Sequence, residues 1–206
     1  MTNTIYIKAY EALPHDTGEI LRYSGARDAA PDVVKLMQEC LDEVKDKLIY
    51  KVCYAELPIN VCGGYIDLSF VKTDSSDLNK NLKNCDSVVL FAATVGIEID
   101  RLIAKYSRVS PSKALMLQAI GAERIETLCN AFDKEIAEQM QQTGKHTRPR
   151  FSPGYGDLPL DIQRDIFRVL DCPRKIGLSL NESLLMSPSK SVTAIIGIAE
   201  DAVESK

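Results

Sequence analysis

The stretch Ser87-Val88-Val89-Leu90-Phe91-Ala92-Ala93-Thr94 is apolar throughout, and a run of this length predicts a central strand buried in a sheet. Upstream, Tyr50, Val52 and Tyr54 alternate with Lys51, Cys53 and Ala55, and Ile66, Leu68 and Phe70 alternate with Asp67 and Ser69. A period of two implies strands with one buried face and one wet face, which favours antiparallel over parallel pairing. Lys175 to Leu180 and Val192 to Ile198 read as two final strands, separated by Asn181-Glu182-Ser183 and a turn at Ser187-Pro188-Ser189.

Helical periods lie between these strands. Val33, Val34, Met37, Leu41, Val44 and Leu48 recur at three- and four-residue steps, with Asp28 as a cap and Pro31 in the first turn. After Gly96, Ile99, Leu102, Ile103 and Tyr106 mark a short amphipathic helix that Ser110-Pro111-Ser112 ends. A long helix is expected from near Lys113 to near Gln141, with the stripe Leu117, Gly121, Ile125, Leu128, Phe132, Ile136 and Met140. Glycine inside that stripe costs about 1 kcal/mol against alanine, so something must pack closely over Gly121. A short helix from about Leu160 to Leu170 presents Ile162, Ile166, Phe167 and Leu170. The pattern is α+β: a twisted, mainly antiparallel sheet with flanking helices, one of them long.

With 206 residues, 45% hydrophobic and 26% charged, the chain has an ordinary globular composition, read as one domain over 1–206 with the N-terminal half less firmly placed. A net charge of −4 argues against non-specific nucleic-acid binding, which runs on clustered positive charge. No apolar run reaches the roughly 20 residues a bilayer requires. The opening MTNTIYIKAYEAL lacks a signal-peptide layout, and the expected location is the cytoplasm, with no membrane partner. Cys40, Cys53, Cys62, Cys85, Cys129 and Cys172 have no metal-ligand spacing and several occupy apolar-periodic positions, while His15 and His146 are far apart. The segment from Val88 to Arg101 offers only Gly96 where a dinucleotide-binding loop needs several glycines, and reads as a plain strand-to-helix turn. Walker, GxSxG and HExxH motifs do not occur.

The region Thr143 to Pro159 has a different texture, with three prolines and three glycines, and a loop this long is more often functional than idle. Within it, Arg150 offers a planar fork of donors suited to a carboxylate. Gly154 and Gly156 clear the backbone on both sides of Tyr155, and Pro149 and Pro153 stiffen the approach. Lys145, His146 and Arg148 bias the segment toward an anionic group. On chemistry alone this is either a small-molecule site for a carboxylate or phosphate, or a rigid surface turn between two helices.

The stretch RFSPGYGD, followed by a short helix and IGLSLNESLLMSPSKSVTAIIGI, resembles the S-adenosylmethionine-binding activation domain of cobalamin-dependent methionine synthase. Arg150, Gly154 and Tyr155 match that family's R-x-x-x-G-Y element. Leu180, Glu182, Ser183, Met186, Pro188, Ser191 and Val192 match its second element, L-T-E-S-x-x-M-x-P-x-x-S-V-S-G. The resemblance implies that Arg150 holds the methionyl carboxylate and that Pro153, Gly154, Tyr155 and Gly156 line the cofactor. It also implies a helix glutamate, Glu126 being the nearest candidate, for the ligand ammonium or sulfonium. The implied role is a stand-alone reactivation partner for a cobalamin-binding methionine synthase polypeptide, with a flavodoxin-type electron donor and no catalytic acid or base. Cobalamin would be reached only through the partner, since no DxHxxG element is present.

Three departures stand out. Gly156 replaces a frequent proline, Gly197 falls further along the strand than the family pattern has it, and the chain ends at Lys206, before the aromatic-rich segment that completes the pocket in longer relatives. They leave open a module of the same fold that docks on a corrinoid protein without S-adenosylmethionine, and, more remotely, an unrelated small-molecule transferase.

Overall fold

The structure, a computed structural model, describes residues 4–11 and 13–200. The tail after Glu200, on which the expectation of a missing pocket wall rests, lies outside the described residues, as do the first three residues of the opening segment.

Strand β1 (Tyr6–Tyr10) leads to α1 (Thr17–Tyr23) and α2 (Pro31–Val44), then β2 (Tyr50–Pro58). Three short strands, β3 (Asn60–Cys62), β4 (Tyr65–Asp67) and β5 (Lys72–Thr73), form a small sheet of their own, followed by α3 (Ser76–Asn81). Next come β6 (Cys85–Thr94), α4 (Glu98–Val109), α5 (Pro111–Gln141) and β7 (Lys145–Thr147). The chain continues through α6 (Ile162–Leu170), α7 (Cys172–Ile176), the short pair β8 (Ser179–Leu180) and β9 (Met186–Ser187), and β10 (Ser191–Glu200). The main sheet has the order β1-β2-β6-β10-β7, and each of its pairings is antiparallel.

This sheet is covered on both faces. Val89, Phe91 and Ala93 of β6 join Ala194, Ile196 and Ile198 of β10 in a core roofed by α2, α4 and α5. Val88, Leu90 and Ala92 of the same strand face the other way, into a core closed by α3, α6 and α7. That double burial is why 88–93 is apolar at every position. It also corrects the wet face expected for β2: Cys53, Ala55 and Leu57 are fully buried. Cys53 and Ala55 are small and apolar, so a helix can approach the strand closely there, whereas a wet face would need polar side chains.

Other local expectations change. Lys175 to Leu180 is not a strand, because Pro173 opens the single turn of α7 and only Ser179–Leu180 pair with β9. The Ile66–Phe70 alternation yields just Tyr65–Asp67, placed in the small sheet. Ala30, not Asp28, is the N-cap of α2; it makes no side-chain capping bond, and Pro31 occupies the first turn. The segment 143–159 is not all loop, since β7 and Phe151 pair with β10 and extend the sheet. The close packing expected at Gly121 is present: an added methyl would stand 3.0 Å from Ile99 Cγ1 and 3.0 Å from Lys190 Cε. Among the described residues no helix is long and apolar enough to cross a membrane.

Candidate functional site

Helix α5 carries a second stripe besides its apolar one. Glu123, Glu126, Thr127, Asn130 and Asp133 recur at three- and four-residue steps, so they share a face. Arg150, from the stretch that runs along β10, reaches over to this face. Its Nη2 donates to Glu126 Oε2 at 2.7 Å and its Nη1 to Asn130 Oδ1 at 2.9 Å, and Nη1 also pairs with the Asp133 carboxylate. Burial pulls the guanidinium toward deprotonation, but Asp133 and Glu126 more than offset this and keep its pKa raised. Burial lifts the Asp133 carboxyl above its ordinary value against the opposing pull of Arg150. One oxygen of Asp133, Oδ1, is buried without a hydrogen-bond partner.

Arg150 and Glu126 open onto a cleft of about 340 Å³, completed by Glu123, Thr127, Asn130 and, from the N-terminal segment, Asp16, Glu19 and Tyr23. Carboxylates outnumber the one guanidinium on its walls. Such a wall suits a ligand that carries both an anionic and a cationic group, an amino acid being the simplest case.

The glycine loop lies elsewhere. Phe151 exchanges main-chain bonds with Ile195, its N–H donating at 2.8 Å and its carbonyl accepting at 2.9 Å. The next residues then turn back on themselves, with the Gly154 N–H bonded to the Leu158 carbonyl at 2.9 Å and the Tyr155 N–H to the Ser152 carbonyl at 3.1 Å. Both glycines have left-handed backbone, φ +84° at Gly154 and +56° at Gly156. A methyl at Gly156 would fall 2.6 Å from Asp77 Oδ2, so the loop docks tightly on α3. Asp157 secures that docking, accepting from the Ser75 hydroxyl and from the Ser76 and Asp77 N–H groups. Those donors hold its carboxyl well below the usual range. Pro153 is buried, and Tyr155 is 71% exposed with its ring edge-on to Phe151 at 5.6 Å.

The structure therefore brings Arg150 and Glu126 into direct contact, while Pro153, Gly154, Tyr155 and Gly156 are not among the residues lining their cleft. Asp133, Asn130 and the acidic residues of the N-terminal segment were not anticipated. The helical spacing applied to the apolar stripe of α5 would have found the polar one.

A family model described as the vitamin B12-dependent methionine synthase activation domain matches residues 70–204, well over half of the chain. The chain belongs to this family. Its structure is similar to the crystal structure of the MetH reactivation domain bound to AdoHcy, with a TM-score of 0.67 and 16% sequence identity, over 95% of this chain and 78% of the other. At that identity the likeness establishes the shared fold, a curled antiparallel sheet with a long helix. No curated protein matches the chain.

Proposed function

We propose that this activation-domain protein binds S-adenosylmethionine at the cleft between α5 and Arg150. In this reading, residues 1–206 act as one unit, a free-standing reactivation partner for a separate cobalamin-binding methionine synthase polypeptide. The observation that carries the reading is the pairing of Arg150 with Glu126 in a cleft rich in carboxylates, in a member of this family. The structurally similar reactivation domain is described as bound to AdoHcy, which supports a ligand of that class.

The residues fit the ligand's charges. Arg150 would receive the methionyl carboxylate through its remaining N–H groups, and Glu126 would take the ammonium or sulfonium. The loop of Pro153, Gly154, Tyr155 and Gly156 lies outside this cleft, so the ligand would have to extend beyond the cleft to meet the exposed ring of Tyr155. S-adenosylmethionine supplies a methyl group on an already activated sulfonium, so the chain's task is positioning, with no general acid or base required. Cobalamin would belong to the partner, and a flavodoxin-type protein in the cytoplasm would supply the electron.

A second reading keeps the fold and the docking role but not the cofactor. It is favoured by the engagement of Arg150 with Asn130, Asp133 and Glu126, which a ligand carboxylate would have to share or displace. Isothermal titration of S-adenosylmethionine into the protein and into Arg150→Ala separates the two. Binding by the first that weakens at least tenfold in the variant supports the cofactor reading; no heat from either supports the second.

A further inference from the structure

Two neighbouring residues of α5, Glu123 and Arg124, are 2% and 3% exposed, and both are charged. Adjacent helical positions point about 100° apart, so a paired arrangement here needs both side chains to bend toward each other. They do: Arg124 Nε donates to Glu123 Oε2 at 2.5 Å and Nη2 to Oε1 at 2.6 Å. Among the described residues the pair is tied chiefly to one short piece of chain, with Tyr50 of β2 a further partner of Arg124. Arg124 donates from Nη1 to the Leu13 carbonyl at 2.9 Å and from Nη2 to the Pro14 carbonyl at 2.7 Å. Glu123 Oε1 accepts from the Asp16 N–H at 3.0 Å, and from Thr127 Oγ1 on its own helix at 2.8 Å.

The piece of chain so held is the entry to α1. Asp16 is that helix's N-cap, its Oδ1 accepting from the Glu19 N–H at 3.1 Å. Asp16, Glu19 and Tyr23 then form the cleft wall that faces Glu126 and Arg150. Arg124 is not part of that cleft; it lines a separate groove of about 390 Å³ beyond the segment, with Leu13, His15 and Tyr50.

We propose that the buried Glu123–Arg124 pair is a positioning device that hangs the N-terminal wall, Leu13 to Tyr23, on α5, so that Arg124 sets ligand affinity without touching the ligand. The ligand part of this inference rests on the function proposed above. The mechanical part does not. Both side chains act as a clip: the cation takes carbonyls of the segment, the anion takes an N–H, and the main chain is fixed by bonds of both polarities. Removing Arg124 alone would leave Glu123 as an unpaired buried charge, so the double variant Glu123→Gln/Arg124→Met, which removes both charges, is the cleaner probe.

The test measures amide hydrogen exchange on Arg124→Met, Arg124→Lys and the double variant, and S-adenosylmethionine titration on the two Arg124 variants alone, because Glu123 itself lines the cleft. The expected result is loss of protection confined to the Asp16 amide and α1, with β6 and β10 unchanged, and affinity weakened at least tenfold. Arg124→Lys, which keeps the charge but not the fork, should fall between wild type and Arg124→Met in both readouts. Unchanged protection of 13–23, or unchanged affinity once that protection is lost, overturns the proposal. So does loss of the whole thermal transition in the double variant, which would make the pair a requirement of the global fold. A wild type that binds no S-adenosylmethionine removes the ligand reading, and the exchange experiment then decides the clip by itself.

Discussion

Lys190 lies across Gly121: the stem of the lysine, on the residue before β10, rests where a side chain at 121 would begin, 3.0 Å from the position of a Cβ. Ile99 of α4 closes the same space from the other side, also at 3.0 Å. Burial of the lysine lowers its pKa, against the pull of Asp100. In Gly121→Ala the helix gains about 1 kcal/mol of propensity, while overpacking in a filled core costs about 1–3 kcal/mol. Lys190 can shift, but Ile99 is fully buried and cannot. The expected net change is a destabilisation of about 1 kcal/mol, read as a lower urea midpoint with an unchanged slope. A stabilised variant would show that α4 and β10 yield more readily than this packing implies.

That glycine was legible in the sequence because one residue broke an otherwise apolar stripe. The central strand and the long helix were legible for the same kind of reason, their periods being long and uninterrupted. The two-sided burial of β2 was not, because Cys53 and Ala55 read equally well as half-exposed or as small core residues. Lys175 to Leu180 misled because a short apolar stretch has no period, and its geometry is set by Pro173 and by the packing of Cys172 and Ile176. Of the candidate cleft, Arg150 and Glu126 were legible in the motif and the helix, but Asp16 and Glu19, which complete its wall, lie more than a hundred positions away. Only the folded chain brings them to α5.

Asp157 makes a pH-dependent contribution whose sign follows from its partners. The Ser75 hydroxyl and the N–H groups of Ser76 and Asp77 favour its ionised form, so its pKa lies below the ordinary 3.8. A group whose folded value is lowered contributes fully above the unfolded value, and the contribution shrinks as pH falls from there toward the folded value. Wild type should therefore be more stable than Asp157→Ala at neutral pH, with the gap closing below that ordinary value. Parallel thermal melts across an acid series check this; a gap that stays constant would mean the cap is not ionic.

Tyr155 separates a structural role from a binding one. With its ring largely in solvent, Tyr155→Ala should leave stability within about 0.5 kcal/mol of wild type. If the ring contacts the proposed ligand, the same variant loses S-adenosylmethionine affinity by at least several-fold in titration. A large stability loss with unchanged affinity would assign the tyrosine to the packing of Phe151.

The pair Arg150 and Asp133 gives a stronger energetic signature. Breaking a fully buried ion pair from one side costs about 3–5 kcal/mol, and these side chains retain 24% and 28% exposure, so about 2 kcal/mol is expected for Arg150→Ala. The cost arises from leaving Asp133 as a buried anion whose pKa burial already raises. Protonation relieves that cost, so the destabilisation should be greatest at neutral pH and shrink as pH falls, the same direction as the Asp157 effect but setting in at higher pH because burial raises the Asp133 carboxyl. Asp133→Asn in the Arg150→Ala background should recover part of the loss, giving a coupling of about 1–2 kcal/mol in a double-mutant cycle followed by urea unfolding. Additive single effects would mean that Arg150 is held chiefly by Glu126 and Asn130, and the ligand carboxylate would then compete with Glu126 alone.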